Sequence, residues 1–157
     1  MSRISGFDPR LVAMLPETHA ILESANLTVH PRVLRVTLHG SRGLAGGYRP
    51  VSDIDLSLIV DVVPDTSNLE TVLNDVLQVT LWTWRSNIEP DLAAIFDIRK
   101  CGLTCFDRTA WDEHLCSIGG VDCFGLFKIQ KGFNGFVTNA GVRVKRMYPC
   151  LRIWRRK

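Results

Sequence analysis

The sequence predicts an α/β (α+β) protein in which helices pack on a small mixed β-sheet. Helical and strand patterns alternate along the first hundred residues, and a length of 157 residues suits one compact core with a modest extension. From Phe124 onward, short apolar and aromatic runs separated by glycines predict a β-rich segment. We therefore divide the chain into a core over residues 1–122 and a C-terminal extension over residues 123–157 that packs on it.

The first helix is predicted to begin near the N-terminus. Asp8 suits the N-cap, and Pro9 suits the first helical position, where its missing N–H costs nothing. Pro16 cannot continue a helix without losing a hydrogen bond. We therefore expect an interruption there and a further turn or two over residues 17–22.

Three strands and a linking helix are expected next. In the first strand Leu34, Val36 and Leu38 alternate with polar residues, so they should share one face. A helical pattern from residue 69 to 84, with Ser67 or Asn68 as its cap, links the second strand to the third. Because a helical crossover favours parallel strands, the third should run parallel to the second. The predicted strands span residues 33–38, 54–60 and 92–96.

Two further elements are predicted nearer the C-terminus. A short helix is expected over residues 109–116. Residues 138–141 have the composition of a hairpin turn between Phe136-Val137 and the apolar run 142–144.

Charge divides the chain sharply. Residues 1–122 hold all 16 acidic residues and 10 basic ones, a net charge of −6, whereas residues 123–157 carry nine basic residues and no acidic ones. Such a segment favours a polyanion, a nucleotide phosphate or an acidic protein partner. The simpler alternative is a solvated surface, or a segment that docks on the acidic core of the same chain or of another copy in a homo-oligomer.

Cysteine usage and hydropathy predict a cytoplasmic protein. Five cysteines, an odd number, make a poor disulfide framework, and the spacing of Cys101, Cys105, His114 and Cys116 fits no common zinc pattern. Reduced thiols are therefore expected. The apolar runs are too short to cross a bilayer, and residues 1–10 lack the apolar run of a secretory signal, so no membrane partner is expected.

A glycine-serine pair and two aspartates carry the clearest chemical signal. Gly40 lets a ligand approach the backbone, and the N–H groups of a turn beginning at Ser41 can bind phosphate. Asp53 and Asp55 lie two residues apart, so a strand directs both carboxylates to one face. Two adjacent carboxylates repel each other unless a hard cation such as Mg²⁺ lies between them.

Together with the loop between them, these motifs resemble the signature of the DNA polymerase beta-like nucleotidyltransferase superfamily, especially its minimal bacterial members. The resemblance covers the apolar strand, Gly40-Ser41, a loop of about ten residues and Asp53-Ile54-Asp55. It extends over residues 8–98 and implies the nucleotidyltransferase fold. The basic extension has no counterpart in it. Arg42 and Arg49, in the loop, are candidates to neutralise the charge of a bound nucleotide.

The resemblance also implies a third acidic residue on a neighbouring strand. Asp91 and Asp97 have the same parity, but six residues of strand separate them by roughly 20 Å, so both cannot join one site. Because Asp53 and Asp55 begin their strand, the matching end of a parallel neighbour carries Asp91. We therefore predict Asp91 as the third carboxylate, with Asp97 and Glu89 as alternatives.

The function implied is transfer of a nucleoside monophosphate, with AMP the expected group, from a nucleoside triphosphate to an acceptor, with release of pyrophosphate. Asp53, Asp55 and Asp91 would be the catalytic metal ligands for two Mg²⁺ ions, and Gly40, Ser41, Arg42 and Arg49 would bind the nucleotide. The acceptor could be a protein, a small molecule or a nucleic acid. The alternative is a module on the same fold that binds nucleic acid or an acidic partner through the basic extension.

Overall fold

The computed structural model is a mixed α+β protein built on a six-stranded mixed sheet. It describes residues 1–104, 124–137 and 149–157. The predicted helix over residues 109–116 and the predicted hairpin turn over residues 138–141 lie outside these ranges.

The described residues contain three helices. They are α1 (Pro9–Met14), α2 (Pro16–Ser24) and α3 (Leu69–Thr83).

The N-terminal helices begin where the sequence predicts. Asp8 caps α1 by accepting a hydrogen bond from the Arg10 backbone N–H at 2.9 Å. Leu15, with a φ of −137°, separates α1 from α2, which begins at Pro16. The predicted interruption is confirmed, because proline ends one helix but is well suited to start the next.

Helix α3 confirms the predicted helix, but its cap differs from the expectation. Asn68 occupies the N-cap position with a φ of +58°, and its side chain makes no capping hydrogen bond. Asparagine tolerates this left-handed backbone better than most residues do. It therefore redirects the chain here instead of capping the helix.

Eight strands form two sheets within the described residues. Strands β1 and β2 form a small antiparallel pair that the sequence pattern does not predict, and the other six follow the order β7-β6-β5-β4-β3-β8. Only β4 and β5 pair in parallel among these described strands, as the crossover through α3 predicts. The strands are β1 (Ser2–Arg3), β2 (Thr28–Val29), β3 (Val33–His39), β4 (Ile54–Val60), β5 (Pro90–Asp97), β6 (Phe124–Lys128), β7 (Gly135–Val137) and β8 (Leu151–Arg155).

The C-terminal extension contributes strands to both edges of the main sheet. Strands β6 and β7 extend the sheet beyond β5, and β8 pairs with β3 at the opposite edge. These strands cover edges whose backbone N–H and C=O groups would otherwise lack partners. A single sheet therefore contains strands from both the predicted core and the predicted extension.

The two faces of the central strands differ in chemistry. Alternate residues of β3, β4 and β5 join one hydrophobic cluster with the buried residues of α3, and we call this side the apolar face. The side chains between them form the opposite face, which we call the polar face because of its polar residues, although Ile59, Ala93 and Ile95 also lie on it. The apolar face includes Val36, Leu38, Leu56, Leu58, Leu92 and Ala94; the polar face includes Thr37, His39, Asp55, Ser57 and Asp91.

One residue of the predicted apolar stripe lies elsewhere. The pairing register of β3 shifts between Val33 and Arg35, so Val33 joins the core while Leu34 is 38% exposed. Such an irregularity changes the face to which a side chain points. The prediction that Leu34 shares a face with Val36 and Leu38 is therefore wrong.

The described residues bear on two expectations, the absence of a membrane-spanning segment and the state of the cysteines. No helix in these ranges is both long and apolar enough to span a bilayer. Cys101 is an exposed free thiol and Cys150 is buried. The other cysteines lie outside the described residues.

Candidate active site

The parallel register of β4 and β5 places two carboxylates side by side. Asp55 of β4 is the register partner of Asp91 of β5, on the polar face and near the beginning of both strands. Asp53 immediately precedes β4 and is close enough for its charge to affect Asp55. The structure therefore brings together the three carboxylates that the sequence singled out.

The alternative third carboxylates lie elsewhere. Asp97 is at the far end of β5, where its carboxylate accepts hydrogen bonds from the Cys101 and Gly102 backbone N–H groups at 3.3 and 2.6 Å. Glu89 precedes β5 and has an exposed side chain. Of the three candidates, only Asp91 is the register partner of Asp55 in the described sheet.

Burial and neighbouring negative charge make Asp55 difficult to ionise. Burial, followed by the charge of Asp91 and a hydrogen bond with it, raises the pKa of Asp55 from 3.8 to about 6. Asp53 raises this pKa further, whereas Lys128 lowers it. A cation that binds beside such a carboxyl group stabilises its ionised form, because the positive charge offsets the effects of burial and of the neighbouring negative charges.

Two lysines of the C-terminal extension contact these carboxylates. Lys128 Nζ lies 2.7 Å from Asp91 Oδ1. Lys131 forms an ion pair with Asp53 Oδ2, and this contact raises the pKa of the lysine. The amino-acid sequence predicts the basic extension but does not connect it to these aspartates. The alternation of β6 does hold a signal. Lys128 and Leu126 lie on the same face of β6, and Ile95, the register partner of Leu126, lies on the same face of β5 as Asp91.

Gln130 fixes the backbone on both sides of Asp91. Its side-chain oxygen accepts a hydrogen bond from the Leu92 N–H at 3.1 Å, and its side-chain nitrogen donates to the Pro90 carbonyl at 3.0 Å. The amide thus supplies β5 with a donor and an acceptor, as a neighbouring strand would. The segment that carries both lysines is thereby held at the beginning of β5.

Gly40 is packed directly against Asp55. Its φ is +73°, and a Cβ at this position would lie 1.9 Å from Asp55 Oδ2. No other residue fits without moving the carboxylate. A turn follows, closed by a hydrogen bond of 3.0 Å from the Gly43 N–H to the Gly40 carbonyl, and the half-buried Ser41 lies within it.

The loop arginines occupy different places from the glycine-serine turn. Arg42 is 4% exposed, and its guanidinium donates to the carbonyls of Ser52, at 2.7 Å, and of Arg49 and Pro50, each at 3.2 Å. It therefore fixes the loop that leads to Asp53. Arg49 has an exposed side chain, and its backbone N–H donates to Ser52 Oγ at 2.8 Å. The structure does not bring either guanidinium into a described contact with the three carboxylates.

His39 has a structural partner beside the site. Its Nε2 lies 2.7 Å from Ser57 Oγ, and both side chains are buried on the polar face. Because His39 is the register partner of Asp55, it fills the space next to the carboxylates on the β3 side.

The three carboxylates suit a divalent cation in chemistry but not in their present arrangement. As the side chains stand, no group of three or more His, Cys, Asp and Glu residues among those described is arranged to hold a metal ion. Asp53 faces Lys131, while Asp55 and Asp91 hydrogen-bond to each other. The residues nevertheless fit a hard cation in chemistry, since all three donors are carboxylates and Asp55 resists ionisation without more positive charge. Binding would require Asp53 and Asp91 to exchange their lysine partners for the cation.

Comparison with known proteins found no similar protein. The sequence matches no protein-family model, no curated protein and no solved structure. The fold and site together define an α+β protein with a carboxylate centre at the beginning of two parallel strands.

Proposed function

We propose that this chain is a Mg²⁺-dependent nucleotidyltransferase that transfers a nucleoside monophosphate, with ATP as the expected donor, to a hydroxyl group of an acceptor. The observation that carries the proposal is the register of Asp55 with Asp91, with Asp53 adjacent and Gly40 packed against Asp55. The proposal is also supported by the order of β3, the glycine-serine loop and β4, with Asp91 on the neighbouring β5, because the resemblance implies a strand, this loop, a second strand and an acidic residue on a neighbouring strand.

The proposed reaction is a displacement at the α-phosphorus of the nucleoside triphosphate. The acceptor oxygen forms a bond to the α-phosphorus, and the bond from that phosphorus to the oxygen bridging to the β-phosphate breaks. Pyrophosphate leaves with the electron pair of that bond. The acceptor proton passes to Asp91, the register partner of Asp55 at the beginning of β5.

Each part of the site has a separate role in this proposal. Asp53, Asp55 and Asp91 would hold Mg²⁺, which supplies positive charge to the phosphates and to the departing pyrophosphate. Gly40 leaves room for the Asp55 carboxylate, and backbone N–H groups of the turn at Ser41 would bind a phosphate. Arg42 fixes the loop that presents Asp53.

Calorimetric titration with ATP, GTP, CTP and UTP, each with Mg²⁺, tests the proposal. The native chain should bind at least one nucleotide in a Mg²⁺-dependent manner, and Asp53→Asn/Asp55→Asn should abolish the binding because it removes two of the three anionic ligands. Asp97→Asn is the matched control, since it neutralises an aspartate at the far end of β5. Absence of binding by the folded native chain, or equal binding by the double variant, would overturn the proposal.

A second candidate function has a separate observation in its favour. Arg35, Arg155 and Arg156 line a cavity of about 260 Å³, and Arg35 and Arg155 are register partners in β3 and β8. Positive charge gathered in this way suits binding of a nucleic-acid backbone. Under this alternative, Arg155→Ser should weaken salt-sensitive RNA binding, measured by fluorescence anisotropy, whereas Asp53→Asn/Asp55→Asn should leave it unchanged.

A further inference from the structure

Lys128 and Lys131 lie where the charge of a bound triphosphate would need to be balanced. Both contact the carboxylates of the candidate site, Lys128 through Asp91 and Lys131 through Asp53. Arg42, the basic residue nearest to the glycine-serine turn in sequence, donates instead to three carbonyls of its own loop. The positive charge at this centre therefore comes from the C-terminal extension.

We propose that Lys128 and Lys131 are the triphosphate-binding residues of this site, and that each ammonium exchanges its carboxylate partner for phosphate oxygens when the divalent cation and the nucleotide bind. This inference rests on the function proposed above and adds a specific phosphate-binding role for two residues.

The charges of the cluster support the exchange. The formal charges of the three carboxylates and two ammonium groups sum to −1, so a divalent cation makes the cluster positive. The cation and the ammonium groups then compete for the same carboxylate oxygens. A bound polyanion ends this competition. Its oxygens accept hydrogen bonds from the ammonium groups, and the carboxylates remain bound to the cation.

The backbone around the lysines allows their side chains to move without loss of the strand. Gln130, between them in sequence, is hydrogen-bonded to the backbone of Pro90 and Leu92. Lys131 itself is 47% exposed, so its ammonium group can turn without disrupting the core. Lys128 Nζ lies 5.5 Å above the centre of the Phe133 ring, which leaves it a second favourable neighbour when Asp91 binds the cation.

Calorimetry with two probes tests this role in the full-length chain. Mn²⁺ alone reports on competition for the carboxylates, and Mg²⁺ tripolyphosphate reports on phosphate binding without a nucleobase. Lys131→Met should bind Mn²⁺ alone about threefold more tightly, because a competing cation is gone, and Mg²⁺ tripolyphosphate about tenfold more weakly, because a phosphate partner is gone. Lys157→Met, which removes the same charge from an exposed position at the C-terminus, should change neither affinity.

Lys128→Met should show the same pair of changes, and Lys131→Met keeps the test valid if loss of the less exposed Lys128 impairs folding. Unchanged or tighter tripolyphosphate binding by Lys131→Met overturns the inference, because the lysine would then be only a counter-ion of the aspartates. A native chain that binds Mg²⁺-nucleotide in a manner lost in Asp53→Asn/Asp55→Asn, while Lys131→Met binds normally, rejects the lysine role alone. A native chain that binds no nucleotide rejects the proposed function as well.

Discussion

The two faces of β4 place neighbouring residues in equally buried but chemically opposite surroundings. Leu58 on the apolar face and Ser57 on the polar face are 0% and 1% exposed. The leucine contacts the hydrophobic cluster that includes residues of α3, whereas the serine hydroxyl meets His39. Burial of Leu58 therefore serves stability, whereas burial of Ser57 serves the positioning of a polar group.

The largest expected effect lies on the apolar face. Leu58→Ala should lower the free energy of unfolding by about 2–5 kcal/mol, because it removes buried methyl groups and leaves a cavity. Ser57→Ala should cost only about 1 kcal/mol, since it removes one hydrogen bond of 2.7 Å to His39. Urea denaturation of both variants measures the difference. Equal costs would show that the two faces do not differ as the structure indicates.

A second prediction concerns the glycine that borders the polar face. Gly40→Ala should destabilise the fold by about 1–3 kcal/mol more than Gly46→Ala, because both glycines have a positive φ but only the Gly40 Cβ would overlap Asp55. It should also weaken Mg²⁺-nucleotide binding by roughly tenfold or more by displacing that carboxylate. Thermal denaturation and calorimetry test both parts. If the two variants behave alike, the close contact of Gly40 with Asp55 is not important for the site.

The smallest expected effect is a dependence of stability on pH. The folded-state pKa of Asp55, about 6, lies above its ordinary value of 3.8 because of burial and the charges of Asp91 and Asp53, partly offset by Lys128. The contribution of Asp55 to the free energy of unfolding is therefore fully present below its unfolded pKa, about pH 4, and is lost as the pH rises through about 6. Between these limits the native chain should lose about 1 kcal/mol relative to Asp55→Asn, after allowance for solvent screening.

Urea denaturation of the native chain and Asp55→Asn from pH 4 to pH 8 measures this loss. Asp65→Asn, which neutralises an exposed aspartate, is the control and should follow the native curve. Parallel curves for the native chain and Asp55→Asn would contradict the unfavourable ionisation of Asp55.

Local patterns predicted the central elements well. The helical spacing from residue 69 anticipated α3, and the prolines anticipated both N-terminal helices. The crossover rule also predicted the parallel pairing that makes Asp91 the register partner of Asp55. These features follow from backbone sterics and from side-chain periodicity, which act over a few residues and can be recognised in one sequence.

Other features depend on contacts between distant segments. The register shift that exposes Leu34 arises in the pairing of β3 with β4, and β1 with β2 is a pair of two-residue strands too short for a periodic signal. Arg42 offers a further example, because nothing in its local sequence shows that its guanidinium binds carbonyls up to ten residues away.

The sequence by itself determined the alternation of helices and strands, the Gly40-Ser41 turn and the spacing of Asp53 and Asp55, because each depends on neighbours along the chain. It also separated an acidic core from a basic extension. Only the tertiary structure decided that the extension supplies strands to both edges of the sheet and that Lys128 and Lys131 contact the carboxylates. The physical reason is that strand pairing and charge pairing act through space, between residues that lie 37 and 78 positions apart in the sequence.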